Sequence, residues 1–352
     1  MEHVLWIDGL SDGASAVVGS KVANLAKLRR MGLRVPDGFA VSTATYERFC
    51  RDSGVAAEIE SAVATIDPRD DAAVDSASAV IRAAFAAAQM PADIASDICD
   101  AYEELSFRCR NMHVPVAVRS SATGEDGCSE SFAGQFDTYL GLSGTAAVLD
   151  GVQRCWGSLF TARALQYRLK NELDYRQCPM AVGVIELVQA RASGVAFSIH
   201  PVSGKRDRVV IESSWGWGEA VVQGVVTPDH SEVCKEERRI LTHTVNEKRI
   251  VSHFDYTAGR VVEGPMPERF RNASALSNDE VIAIVDAVLA IEREFGAPVD
   301  VEWVIDRHRE PARSLSIVQA RPETVHSNAA AAPAPTWDPV AFASKYAFSG
   351  KR

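Results

Sequence analysis

The sequence predicts an α+β protein whose folded part ends near Val325, and three observations carry that prediction. Residues Ala56 to Ser106 are rich in alanine, isoleucine and acidic residues at helical spacing. Three later runs, "MAVGVIELV", "SGVAFSI" and "RVVIESSWG", alternate and are β-branched, which suits sheet strands. From Ser327 the composition changes to "NAAAAPAPTWDP", so residues 326–352 are predicted to be an extended linker and a C-terminal tail.

Taken in order, "HVLWIDG" predicts a short strand, and "GSKVANLAKLRRMG" a helix that starts just after one glycine and stops at another suited to a C-cap. "LRVPDGFAVSTATYERFC" reads as loop, strand, N-cap and helix. Breaks near Asp67-Pro68 and Met90-Pro91 divide the alanine-rich region into two or three helices. "VAVRSSATGEDGCSESFAGQFDTYLG", Val116 to Gly141, predicts strand, loop and strand. Gly151 to Leu173 predicts a single amphipathic helix, with Trp156, Leu159, Phe160, Ala164 and Tyr167 near one face. The three β runs follow, with turns expected at Ser193-Gly194 and Ser203-Gly204. Val233 to Val262 is charged and strand-like, and Asn278 to Phe295 is a helix entered through "LSND". "APVDVEWVID" and "SLSIVQARP" close the pattern as an antiparallel pair around a turn at Asp306 to Pro311.

At 352 residues, 47% hydrophobic and 24% charged, the chain has room for two cooperating domains and a sizeable core. A net charge of −10 repels phosphate backbones and anionic lipid, so neither nucleic acid nor membrane is an expected partner. The seven cysteines form no CxxC pair, which fits reduced thiols better than a disulfide framework or a zinc site. The N-terminus lacks a basic signal region and no run reaches about 18 apolar residues, so a cytoplasmic protein is expected.

Arg119, at a strand end before Ser120, Ser121 and Thr123, supplies a planar fork of donors for phosphate oxygens, with hydroxyls around it. Gly134 in "SFAGQ" lets backbone amides approach an anion closely. A plain solvated loop has the same composition. Downstream, Glu302 follows alternating apolar residues, and Gln319 and Arg321 lie two apart on the next strand and so on one face. A carboxylate and a carboxamide are suitable oxygen ligands for magnesium, and Arg321 beside them would meet the same phosphates. A structural cross-strand polar pair is the alternative. Lys21 opens a helix, where the N-terminus already favours anions. No P-loop, dinucleotide fingerprint, HExxH or GxSxG stretch is present.

In family order, "VGSKVANLAKL", "VPDGFAVSTATY", "VAVRSSATGEDG" with "SFAGQ", "CWGSLFTARALQYR", "SGVAFSIHPVSG", "SWGWGEAVVQGVVTPD" and "DVEWVID" with "LSIVQARPET" resemble one family. It is the ATP-grasp nucleotide-binding domain of phosphoenolpyruvate synthase, pyruvate phosphate dikinase and rifamycin phosphotransferase, matched over about residues 8 to 325. The resemblance implies one ATP-grasp unit over residues 1–325, with subdomains at about 1–200 and 201–325 and the nucleotide in the cleft between them. It implies that Lys21, Arg119 and Arg321 act on the triphosphate, under a loop containing Ser120, Thr123 and Gly134. It places adenine against Glu186, Leu187 and Val188, and magnesium on Glu302 and Gln319. Ile185 stands where the family usually has a glutamine, and Ser20 where a glycine is frequent.

Family members pass a phosphoryl group to a histidine on a swivelling domain, and none of the eight histidines here has the glycine-rich setting of that residue. The expectation is therefore the ATP-binding subunit of a split phosphotransferase of dikinase type, whose partner subunit carries the phosphohistidine. ATP would yield AMP and phosphate, and the acceptor class would be phenolic or aryl, as in split systems of the family. The alternatives are a stand-alone piece of a phosphoenolpyruvate synthase or rifamycin phosphotransferase, and a nucleotide-responsive binding module without turnover.

Overall fold

The computed structural model describes residues 2–64, 66–123, 137–171, 174, 176, 178–217, 226–255 and 259–323. Contacts divide the described residues into two compact units, one formed by those up to Ala26 with those of Asp37–Leu187, the other by Lys27–Pro36 with those from Val188 on.

The first unit is built on an antiparallel sheet of β1 (Val4–Trp6), β2 (Gly38–Val41), β3 (Val116–Ala122), β4 (Thr138–Leu142) and β5 (Met180–Glu186), in the order β1-β2-β5-β3-β4. The chain first forms α1 (Ser15–Arg30), then α2 (Thr43–Asp52), whose N-terminus is capped by Ser42. The alanine-rich region folds as three helices: α3 (Val55–Val63), α4 (Asp71–Ala87) and α5 (Ala92–Arg108). Asp70 caps α4 and Pro91 precedes α5, so both expected breaks have a chemical cause. Where one long helix was expected from Gly151 to Leu173, there are two: α6 (Thr145–Gly157) and α7 (Ala162–Lys170). Thr161 separates them in an extended conformation, and its hydroxyl accepts from the Ala164 N–H, an N-cap that competes with helix continuation. The helices bury Phe49, Phe85, Trp156 and Phe160 against Val116, Val118, Val182 and Val184 of the sheet.

The second unit contains a six-stranded antiparallel sheet in the order β13-β12-β6-β7-β8-β9. Its members are β6 (Ala190–Phe197), β7 (Arg208–Trp215), β8 (Asp229–Cys234), β9 (Ile240–Thr244), β12 (Val299–Asp306) and β13 (Leu315–Pro322), with β10 (Ile250–Asp255) and β11 (Arg260–Pro265) as a separate ribbon. A short α8 (Glu268–Arg271) leads to α9 (Asn278–Phe295). The "LSND" entry forms a capping box, in which Ser277 and Glu280 satisfy one another's backbone N–H groups, and Gly296 ends the helix at φ 68°. Val281, Ile284, Val285, Val288 and Ile291 of α9 are buried, and α9 packs on β12, β13, β6 and β7, whose own core includes Val301, Trp303 and Ile317.

Ser193-Gly194 is not a turn but the middle of β6. A Cβ on Gly194 would sit 1.9 Å from the Glu212 carbonyl oxygen, so glycine is there to let β7 and Trp303 approach. Ser203-Gly204 does turn, with Gly204 at φ 67° donating its N–H to the His200 carbonyl. Between β12 and β13 the pairing runs Val301 with Ala320, Glu302 with Gln319, then Trp303 with Ile317, so Val318 is an extra bulged residue. Among the described residues no helix is long and apolar enough to cross a membrane.

Candidate functional site

In the first unit the decisive local feature is Gly19, which interrupts α1 at φ 71° and ψ 168°. A Cβ there would lie 1.9 Å from the Ser121 carbonyl oxygen, so only glycine permits the chain to sit against β3. The Val22 N–H donates to Ser121 Oγ at 3.2 Å, and Lys21 therefore starts the regular part of the helix anchored on β3. Arg119 is half-buried on the same strand, opposite Gly183 on β5 and Thr138 on β4. Strand alternation gives Arg119 and Ser121 one face and Val116, Val118, Ser120 and Ala122 the other. The valines and Ala122 belong to the helix-packed core, so Ser120 is not brought together with Arg119. Its hydroxyl is fully buried with no hydrogen-bond partner among the described residues.

Thr123 sits at the end of β3, where both its N–H and its hydroxyl donate to the Pro179 carbonyl at 3.3 Å. Gly134 lies outside the described residues. At the end of β5, the N–H groups of Glu186 and Leu187 are committed to the Asp37 and Pro115 carbonyls. Ile185 pairs with Ala117, on the Arg119 face, while Glu186 pairs with Val116 on the other. Glu186, Asp37 and Cys109 bring ligand-type atoms within 4.8 Å of one another. Burial, and then those two carboxylates, push the Cys109 thiol up to about 12.

In the second unit Glu302 stands directly opposite Gln319, and Asp300 opposite Arg321, all on the face away from Val301 and Ala320. The Arg321 Nε donates to both oxygens of Asp300. Burial pushes the Asp300 carboxyl up to about 6, with Arg321 opposing the shift and Glu302 and Glu323 adding to it. A carboxylate and a carboxamide side by side, with a guanidinium in the next pair, form a hard-oxygen set that fits magnesium. The Val188 carbonyl accepts from the Trp217 indole N–H at 2.7 Å.

The same face carries groups that sequence reasoning missed. Register runs Gln319, Glu302, Val195, Glu212, His230 across five strands. His230 Nδ1 is 2.7 Å from Glu212, and its Nε2 is 3.5 Å from Glu232, which also pairs with Arg208. Glu212 raises the imidazole above its ordinary value, while burial raises the Glu212 carboxyl. Asp300 was legible as the residue two before Glu302 in "VDVEW"; Glu212 and His230 become neighbours only through pairing.

Residues 15–339 match the model of the pyruvate phosphate dikinase AMP/ATP-binding domain. The chain belongs to that family. This AMP/ATP-binding domain has the ATP-grasp type of fold, and its mixed helices and sheets are those described above. It is 40% identical over 305 residues to a probable phosphoenolpyruvate synthase of Methanothermobacter thermautotrophicus, covering 87% of this chain and 44% of the relative. It is 38% identical over 327 residues to a rifampicin phosphotransferase of Streptomyces sviceus, covering 92% and 36%, and 34% identical over 359 residues to a phosphoenolpyruvate synthase of Pyrococcus furiosus, covering 91% and 44%. The chain thus spans less than half the length of these relatives. ATP is a ligand of such a domain, and the relatives are named as a synthase of phosphoenolpyruvate and a phosphotransferase.

Proposed function

We propose that this chain is the ATP-binding part of a phosphoenolpyruvate-synthase-like phosphotransferase, working with a second subunit that bears a phosphohistidine. The observation that carries the reading is the β12–β13 register, which sets Glu302 beside Gln319 and Arg321 one pair further along. Lys21 and Arg119 would hold triphosphate oxygens, Lys21 as a point charge at a helix start and Arg119 as a fork. Glu302 and Gln319 would hold magnesium, which when bound neutralises phosphate charge. The backbone of Glu186, Leu187 and Val188 would meet adenine, and Thr123 and Gly134 remain proposed members of the covering loop, while Ser120 is left out because it faces the helix-packed core.

The β-phosphorus becomes bonded to the partner's imidazole nitrogen as AMP leaves, and the γ-phosphoryl passes to water as phosphate. A phosphoryl group in flight needs alignment and positive charge more than covalent help, which these side chains supply. The acceptor we favour is a phenolic or other aryl compound, by analogy with the split systems of the family. The test mixes the chain with a candidate histidine-bearing subunit, magnesium and ATP labelled at the β-phosphorus. Label on the partner and release of AMP are expected, and Arg119→Ala should abolish both while leaving the circular dichroism spectrum intact. Label that arrives only from the γ-phosphorus would exclude the dikinase reading.

A further inference from the structure

We propose that Arg168 holds a small oxyanion of the carboxylate or phosphate type inside the helical layer of the first unit. Arg168 lies on α7 and is 4% exposed, and its Nη1 and Nη2 are both buried with no hydrogen-bond partner among the described residues. Buried charges in proteins are paired, because an isolated ion loses its hydration without recompense. The Phe160 ring, 5.7 Å from the guanidinium carbon, attracts the cation through its face but accepts no N–H in the plane of the fork. Burial is the main influence on this arginine and lowers its pKa, opposed by Tyr46, Cys178 and Asp174. Of these, Asp174 is 42% exposed and lies 3.9 Å from Arg176.

A second orphan points the same way. The indole N–H of Trp156, a fully buried residue, has no acceptor among the described residues, and its ring centroid is 5.9 Å from that of Tyr46. Tyr46 packs against Trp156 and is the first influence after burial on Arg168, and the missing chemistry on both donors is an acceptor. An arginine whose two terminal nitrogens are both open presents parallel N–H groups matched to two oxygens of one anion, and an indole can only donate. A halide satisfies one such donor at a time, whereas an oxyanion satisfies the fork. The site is on the helix-packed side of the sheet, away from the face of Arg119, and the inference does not rest on the proposed reaction.

Crystals of the whole chain soaked in selenate should show an anomalous peak within hydrogen-bond distance of Arg168 Nη1 and Nη2. In solution, inorganic phosphate or acetate should raise the melting temperature by about 2–4 °C over chloride of equal ionic strength. Arg168→Met should abolish the part of that rise that Lys21→Met keeps, which separates this site from the triphosphate site. The relative effect of phosphate and acetate tells a tetrahedral from a planar occupant. The proposal is overturned by a map in which a side-chain carboxylate of the chain caps the guanidinium, by absence of the anomalous peak, or by a rise that is undiminished in Arg168→Met. If Arg168→Met does not fold, the selenate map decides alone.

Discussion

Arg321 and Asp300 face one another across the β12–β13 ladder, the Arg321 Nε lying 2.9 and 2.7 Å from the two carboxylate oxygens. Asp300 is 13% and Arg321 24% exposed, so the pair is largely withdrawn from water. Arg321→Ala leaves a buried carboxylate without its fork and should cost about 3–5 kcal/mol in urea unfolding. The Asp300→Asn/Arg321→Met double variant should recover much of that loss, and ATP binding should stay weak because the guanidinium is gone. A double variant as unstable as Arg321→Ala would show that the pair is not coupled.

Gly19→Ala meets both a left-handed backbone and the Ser121 carbonyl. The backbone term alone is about 1–2 kcal/mol, and the collision adds to it. The helix start that carries Lys21 must then lift from β3, so calorimetry should find ATP affinity lowered about tenfold or more. Gly54→Ala, also at positive φ but with open space around its Cβ, should leave that affinity unchanged.

Glu302→Gln exchanges a charged oxygen ligand for a neutral one of the same shape. Melting temperature should hardly move, while magnesium-dependent AMP formation with the partner should fall about 100-fold or more. Chelation by EDTA should stop the same reaction in the wild type without unfolding it. Activity in Glu302→Gln at the wild-type magnesium midpoint would remove this residue from the metal site.

The folded His230 lies above the ordinary value of 6.5, mainly through its hydrogen bond to Glu212. A raised histidine contributes stability that is complete below 6.5 and disappears as pH rises through its folded value. Wild-type stability should therefore decline on the alkaline side of 6.5, and His230→Gln should lack that segment of the profile. Glu232, Arg208 and His200 surround the pair, so Glu212→Gln should shift the same segment to lower pH.

Lys248 and Asp229 form an ion pair in which both side chains are fully buried, and Asp229 also accepts from the Asn246 and Ala275 N–H groups. Lys248→Met strands that carboxylate and should destabilise the chain by about 3–5 kcal/mol by chemical unfolding. Lys248 takes no part in the proposed triphosphate and magnesium contacts, so ATP affinity should change little for the fraction that remains folded.

Local chemistry was legible wherever a residue acts on its own neighbours. The Ser277 box and the alternation of "VDVEWVID" follow from side chains within a few positions. What the sequence concealed depends on partners far along the chain. Ser120 looked equivalent to Ser121 until the sheet assigned them opposite faces. Gly194 looked like a turn because its crowding by Glu212 and Trp303 is tertiary. The α6–α7 break was missed because periodicity runs through it, and only the hydroxyl of Thr161 shows that the chain is capped anew. Glu212 and His230 join the Glu302 row through three successive strand pairings that no short motif encodes.

The bulge at Val318 gives β13 an arithmetic of its own. Ile317 and Gln319 are two apart, yet one packs with Trp303 and the other stands beside Glu302. Deleting Val318 would let the ladder close as a regular strand with Gln319 still beside Glu302 and Arg321 still beside Asp300, because residues 317 and 319 would then be neighbours on opposite faces. Deleting Ala320 instead would bring Arg321 opposite Val301 and onto the other face, so the strand would keep nearly its whole composition and still lose its purpose. Deletion of Val318 should therefore be tolerated far better than deletion of Ala320, and a deep mutational scan that scores both would reveal the asymmetry.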